Sequence, residues 1–170
     1  MPIFHIVQTV MKKQGSPLPI LLILLVFLIF FILFAIFFAP YEFTSHSTAT
    51  AIFTDNSENV LAHAELQISD TFLTRYIGLS HTDHLEQDQG MLFIHPTEKN
   101  HTYVMRNMDF PIDIIFIDSK GTIVSIHHAY PESPPYSAYE GFSKLVLELP
   151  HNWTIDNNIS VGDTVSIHFD

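Results

Sequence analysis

Two acidic residues stand inside otherwise apolar runs: Asp113 in the stretch Ile112 to Ile117, and Glu148 between Leu147 and Leu149. A carboxylate in such a setting must be paired, be hydrogen-bonded, or take up a proton. Asp113 and Glu148 together would suit general acid/base chemistry. A structural pairing with Arg75, Arg106 or backbone N–H groups answers the same demand. With period two, Asp113 shares a strand face with Ile115 and Ile117. Beside these acids the sequence offers Met105, Arg106 and Asn107 ahead of the turn Met108-Asp109-Phe110-Pro111. Asn107 reads first as a turn residue bonded to its own backbone and second as a ligand-orienting amide. Met91, Phe93 and Met105 suit a core, and also the wall of an adaptable apolar pocket. Met91, Phe93, Met105, Asn107, Asp113 and Glu148 are therefore the candidate ligand pocket.

The eleven histidines raise the question of a metal. His81 and His84 are three apart, and His95 and His101 would face one another across a Pro96-to-Asn100 hairpin. His127 and His128 are neighbours on one strand and point to opposite faces, and no H-E-x-x-H occurs. The spacing thus reads as surface histidines, with no metal ligand and no cofactor expected. With no cysteine in the chain, a disulfide framework, a thiolate zinc site and a thiol nucleophile are excluded. Neither a G-x-S-x-G elbow nor a glycine-rich phosphate loop is present.

The elements that must position these residues follow from periodicity. After residue 48 the pattern is mostly period two, broken by turn residues about every ten positions, as in short antiparallel strands. Thr48 to Thr54 and Val60 to Ser69 flank Asp55-Asn56-Ser57 as a hairpin. Ser69 and Asp70 offer cap chemistry for a short helix over Phe72 to Leu79, with Phe72, Leu73, Tyr76 and Ile77 on one face. Met91 to His95 and His101 to Arg106 are expected as strands. Ile112 to Ile117 and Thr122 to His128 flank Asp118-Ser119-Lys120-Gly121, and Lys144 to Leu149 and Thr164 to Phe169 finish the sheet. The loop Tyr130 to Gly141, rich in proline and tyrosine, is either a packed surface loop or a lid.

Leu18 to Ala39 carries no charged side chain and is as long as a bilayer-spanning helix. Lys12 and Lys13 precede it, which places the N-terminus on the cytoplasmic side. A signal-peptide core is shorter, so an uncleaved signal anchor is expected. The predicted organisation is a cytoplasmic tail over 1–17, a transmembrane anchor over 18–39, a spacer over 40–47 and an exported domain over 48–170. The localisation expected is a single-pass cell-membrane protein with its C-terminal domain outside. All 18 acidic residues but only five of the seven basic ones lie beyond residue 40, so that part carries −13 with histidines neutral. Such a surface repels phosphate backbones, and no nucleic-acid partner is expected. Three N-x-S/T sequons, at Asn100, Asn152 and Asn158, fit an exterior location.

The order of segments resembles the DUF192 (UPF0127) family over about Val60 to Phe169. The resemblance is carried by Arg75 with Gly78-Leu79, by Gly90-Met91-Leu92-Phe93, and by Tyr103-Val104-Met105-Arg106-Asn107. It continues through Pro111-Ile112-Asp113-Ile114-Ile115-Phe116-Ile117-Asp118 with Gly121, Val146-Leu147-Glu148-Leu149, and Gly162-Asp163. It departs at Val104, where the family commonly has tryptophan, and at Pro150-His151-Asn152, where a glycine is usual. The resemblance implies a small, mostly β domain with no established biochemical function. The fold expected is a barrel-like antiparallel sheet with one or two short helices, preceded by the transmembrane helix. The function expected is a membrane-anchored, extracytoplasmic small-ligand-binding or accessory domain. The alternatives are a hydrolytic or metal-assisted enzyme using Asp113 and Glu148, or a structural, partner-docking domain of the envelope. The partners expected are the membrane through 18–39 and a small molecule or an envelope protein.

Overall fold

The computed structural model describes residues 18–38 and 48–170, with side chains in the first segment from 22 to 32. The tail over 1–17 and the spacer over 40–47 lie outside the described residues. Two compact units divide the chain, one ending at Thr44 and the other running Ser45–Asp170. In the first unit helix α1 spans Leu18–Phe38. Among the described residues no helix is long and apolar enough to cross a membrane. The transmembrane anchor over 18–39, the signal anchor and the outside location expected from the sequence are corrected accordingly.

The second unit is a seven-stranded sheet: β1 (Thr48–Thr54), β2 (Val60–Ser69), β3 (Gln89–Tyr103), β4 (Ile112–Ile117), β5 (Ile123–Ala129), β6 (Tyr139–Pro150) and β7 (Thr164–Phe169). Two short helices, α2 (Phe72–Ile77) and α3 (Trp153–Asp156), interrupt it. The spatial order is β5-β4-β6-β3-β2-β1-β7. The hairpin of β1 and β2 forms at the expected bounds, with Ala51 opposite Ala64. Its turn is held by the Asp55 carboxylate, which accepts the N–H groups of Ser57 and Asn59 at 2.8 and 2.9 Å. These bonds, with that from the Asn59 side chain, hold its pKa below the ordinary value.

Three features differ from the expected antiparallel barrel. First, β2 and β3 run parallel, Ile68 opposite Leu92. The segment between them contains α2 and is long enough for a crossover, which a tight turn is not. Second, β3 does not break at Pro96. It runs on through an irregularity between Ile94 and Lys99, because β6 pairs with both halves, Phe93 to Val146 and His101 to Gly141. Proline is tolerated where a bulge releases its residue from the ladder. Third, the sheet stays open. Its two edges meet only at one corner, through the Thr122↔Thr164 bridge, and Val165 N–H donates to Gly121 O at 2.7 Å.

Helix α2 is capped by Thr71, whose side chain and that of Thr74 satisfy each other's backbone N–H, in place of the expected Ser69 and Asp70. None of its residues is buried, and Phe72 is 80% exposed, so the helix does not bury its apolar residues. The core instead lies on both sides of β4, whose six residues are all buried. Ile115 and Ile117 join Phe53, Leu66, Leu92, Leu147 and Trp153 on one face. Ile112, Ile114 and Phe116 join Met91, Phe93, Met105 and Val146 on the other.

Gly141 shows how tightly the second cluster is closed. A Cβ built there would stand 2.3 Å from Cγ of Phe116, a ring that is wholly buried. Gly141→Ala should therefore destabilise the domain by about 1–3 kcal/mol through overpacking, although alanine suits a strand better than glycine. Urea unfolding of the two proteins is the check. An unchanged midpoint would mean that Phe116 has room to move.

Candidate functional site

The two buried carboxylates take opposite sides of the sheet. In the antiparallel register of β4 and β6, Asp113 stands opposite Leu149, while Glu148 stands opposite Ile114. Adjacent ladder positions alternate faces, so Asp113 looks toward the Trp153 cluster and Glu148 toward the Met105 cluster. The shared acid/base site expected from sequence does not form.

Asp113 is fully buried, and each of its oxygens is occupied. Oδ1 accepts from Asn152 N–H at 3.1 Å and from His128 Nδ1 at 2.7 Å. Oδ2 accepts from Thr154 N–H at 2.9 Å and from the Thr154 hydroxyl at 2.6 Å. The carboxylate thus receives the free backbone donors where α3 begins, a side-chain cap supplied from another strand. His151 lies beside it, with Nδ1 3.7 Å from Oδ1. His151 Nε2 is hydrogen-bonded to the Tyr130 hydroxyl at 3.1 Å.

Glu148 faces a cavity of about 270 Å³. Burial alone pushes its carboxyl up to about 8, so it is a neutral acid at pH 7 and a hydrogen-bond donor. Phe93, Met105, Met108 and Ile112 line the cavity with it, and Arg75 and Arg106 also border it. Both guanidinium groups are anchored on backbone carbonyls. Arg75 donates to Asp70 O and, at 2.9 Å, to Ile94 O. Arg106 donates to Tyr76 O at 2.7 Å and lies 4.1 Å from the centre of the Tyr76 ring.

The β3 irregularity supplies the remaining polar wall. His95 and His101 stack with ring centres 3.5 Å apart, so they do meet, but across a bulge within one strand. His95 Nε2 and the Tyr103 hydroxyl are hydrogen-bonded at 2.9 Å. Burial, with the neighbouring His101 and Arg75 adding to it, lowers His95 to about 4. Burial also lowers His101, although its bond to Thr97 O opposes the shift. Tyr103 is held neutral by burial and by its proximity to Glu148.

Of the six residues expected to share a pocket, Phe93, Met105 and Glu148 line this cavity. Met91 packs in the adjoining core. Asn107 is exposed, with φ at 55° in the left-handed region, and Asp113 is on the far face. The sequence reading missed His128, His151 and Tyr103. Tyr103 carried a signal, since it opens the run Tyr103-Val104-Met105-Arg106-Asn107, whereas His151 becomes relevant only once β6 is paired with β4.

The DUF192 family model, described as uncharacterized ACR, matches residues 52–167, well over half of the chain. The chain belongs to this family. A UPF0127 protein from Thermococcus sibiricus is 30% identical over 102 residues, which is 59% of this chain and 64% of that protein. The matched part thus spans less than two thirds of the length of that relative. A crystal structure from Sinorhizobium meliloti 1021, named a "putative transcription regulator", superposes with TM-score 0.67 at 25% identity, over 72% of this chain and 95% of that one. A protein of unknown function from Novosphingobium aromaticivorans gives TM-score 0.64 at 22% identity, covering 74% and 89%. The second likeness concerns the fold alone. The DUF192 fold is thus the scaffold on which both carboxylates sit.

Two expectations follow. Asp113→Asn puts an N–H donor where a carboxylate oxygen accepts, and should cost about 2–5 kcal/mol in denaturant unfolding. Combined with Glu148→Gln, its effect should add within about 0.5 kcal/mol, because the two groups share no partner. A larger coupling would mean that they communicate through the sheet.

The second concerns pH. The unfolded chain releases the Glu148 proton near 4.5 and the folded chain near 8, so between those values the folded state holds one more proton. Stability therefore falls as pH rises through that window, by up to about 1.4 kcal/mol per pH unit. Glu148→Gln should remove this component, and subtracting the two pH profiles cancels the contribution of His95. A difference that is flat from pH 5 to 8 would show that the carboxyl titrates normally.

Proposed function

We propose that the domain is a small-ligand-binding module whose site is the cavity beneath Glu148. The observation that carries this reading is a buried carboxyl, raised by burial, that lines a space of about 270 Å³. Burying an ionisable group away from any ion pair costs stability unless function retains it. A neutral acid donates one hydrogen bond to a carbonyl or similar acceptor, while Phe93, Met105 and Met108 offer apolar contact to the rest of the ligand. Arg75 and Arg106, already fixed by backbone carbonyls, set positive charge at the cavity. A small molecule with an apolar body and a polar or anionic end suits that lining.

The hydrolytic alternative built on Asp113 and Glu148 loses its basis, since direct proton relay between them is blocked by the sheet. A docking function has one specific support. Phe72, Leu73, Tyr76 and Val104, each 43% exposed or more, are apolar surface, and Tyr76 and Val104 border the cavity. A net charge of −11 repels a phosphate backbone and argues against nucleic-acid binding.

Small molecules extracted from the purified chain and read by mass spectrometry are the test. Wild type should retain a species that Glu148→Leu, which keeps bulk but loses the donor, does not. Identical extracts from the two proteins would remove the cavity as a binding site.

A further inference from the structure

On the face away from the cavity, the surroundings of Asp113 are arranged for more than holding α3. Three side chains from separate parts of the chain converge there: Asp113 from β4, His128 from β5 and His151 from the turn after β6. Each offers one ligand atom, and these atoms all lie within 4.8 Å of one another. His128 Nδ1 and His151 Nδ1 stand 2.7 and 3.7 Å from Asp113 Oδ1. Bonds of about 2.0–2.2 Å to one ion put neighbouring ligand atoms about 3 Å apart or slightly more, a spacing these distances bracket.

The decisive detail is His151. Its Nε2 is engaged by the Tyr130 hydroxyl, whereas its buried Nδ1 has no hydrogen-bond partner. An unpartnered ring nitrogen directed at a carboxylate 3.7 Å away is a costly arrangement when it presents a lone pair. A cation between them turns both atoms into ligands.

The outer partners of such a site are also in place. Metal-binding imidazoles are usually oriented by a bond at the second ring nitrogen, and ligating carboxylates by further donors. Tyr130 meets the first requirement for His151. Thr154 meets the second, through two bonds to Oδ2, and Asn152 N–H holds Oδ1. Side-chain exposures of 37% for His128 and 19% for His151 leave one side of the cluster toward solvent.

We propose that Asp113, His128 and His151 form a binding site for one divalent transition-metal ion, with its remaining coordination positions open to solvent. Two imidazoles and a carboxylate suit borderline ions such as zinc, and a donor set without thiolate is unsuited to soft ones. The ion takes the place of the hydrogen bond between His128 Nδ1 and Asp113 Oδ1. It also ties β4, β5 and the β6–α3 turn together. This site is separate from the Glu148 cavity and stands whatever that cavity binds.

Zinc binding to the full chain, measured by competition with a chromophoric chelator, tests the proposal. Wild type should take up one zinc per chain, and His128→Ala and His151→Ala should each weaken it at least tenfold. Tyr130→Phe keeps all three ligands and removes only the orienting hydroxyl, so it should weaken binding about tenfold even if the histidine variants fail to fold. Glu148→Gln should bind as wild type does. Absence of saturable binding in wild type overturns the proposal. So does binding that survives unchanged in the folded variants, since the ion would then rest on other histidines.

Discussion

Asp113 is the constraint on which this domain is organised. A charge taken fully out of water is tolerable only if every lone pair finds a donor, and here the donors come from positions far along the chain. Its ladder neighbours on β5 and β6 fix the carboxylate on the second strand from one edge of the sheet. Thr154 and Asn152 then have to come to it, which stops β6 at Pro150 and turns the chain into α3. Trp153, carried by that turn, packs 5.0 Å from the ring of Phe53 and donates to Asp88 at 3.0 Å. One buried acid thus links β4, near one edge of the sheet, to the β1 side and to the end of the crossover between β2 and β3.

Glu148, one ladder position away on the adjacent strand, meets the same burial with the opposite solution. Among the described residues no hydrogen-bonding cap or ion pair holds it, and burial pushes its carboxyl up to about 8. Two acids in nearly identical sequence settings, each flanked by aliphatic residues, therefore meet different surroundings because they face different sides. The face is set by the β4–β6 register, and a slip of one residue would exchange their environments.

How much of this was legible in the sequence depends on the range of the interaction involved. The β1–β2 hairpin and the apolar β4 were readable at their bounds, since turn chemistry at Asp55 and the run Ile112 to Ile117 are local signals. The buried character of Asp113 and Glu148 was equally readable. Their separation was not, because period two gives faces within a strand but not which faces of two strands coincide. Pro96 reads as a turn residue in isolation, yet pairing with β6 carries β3 past it. The parallel direction of β2 and β3 follows from the crossover rather than from either strand. His151 had no local mark at all, its neighbours in space being 21 and 38 positions away at Tyr130 and Asp113.

The corner at which the sheet almost closes bears on what the rims of the sheet offer to other strands. Both β5 and β7 have an outer rim of backbone groups, and such rims recruit strands from other molecules. At Thr122 and Thr164 each rim satisfies the other, and further bonds from Ile123 N–H to Asp163 O and from Gly162 N–H to Ile123 O seal the corner. An incoming strand therefore finds no continuous template. It has only the stretches of β5 and β7 that diverge from the corner. Opening this corner, rather than loosening the core, would be the step that exposes the sheet to aggregation.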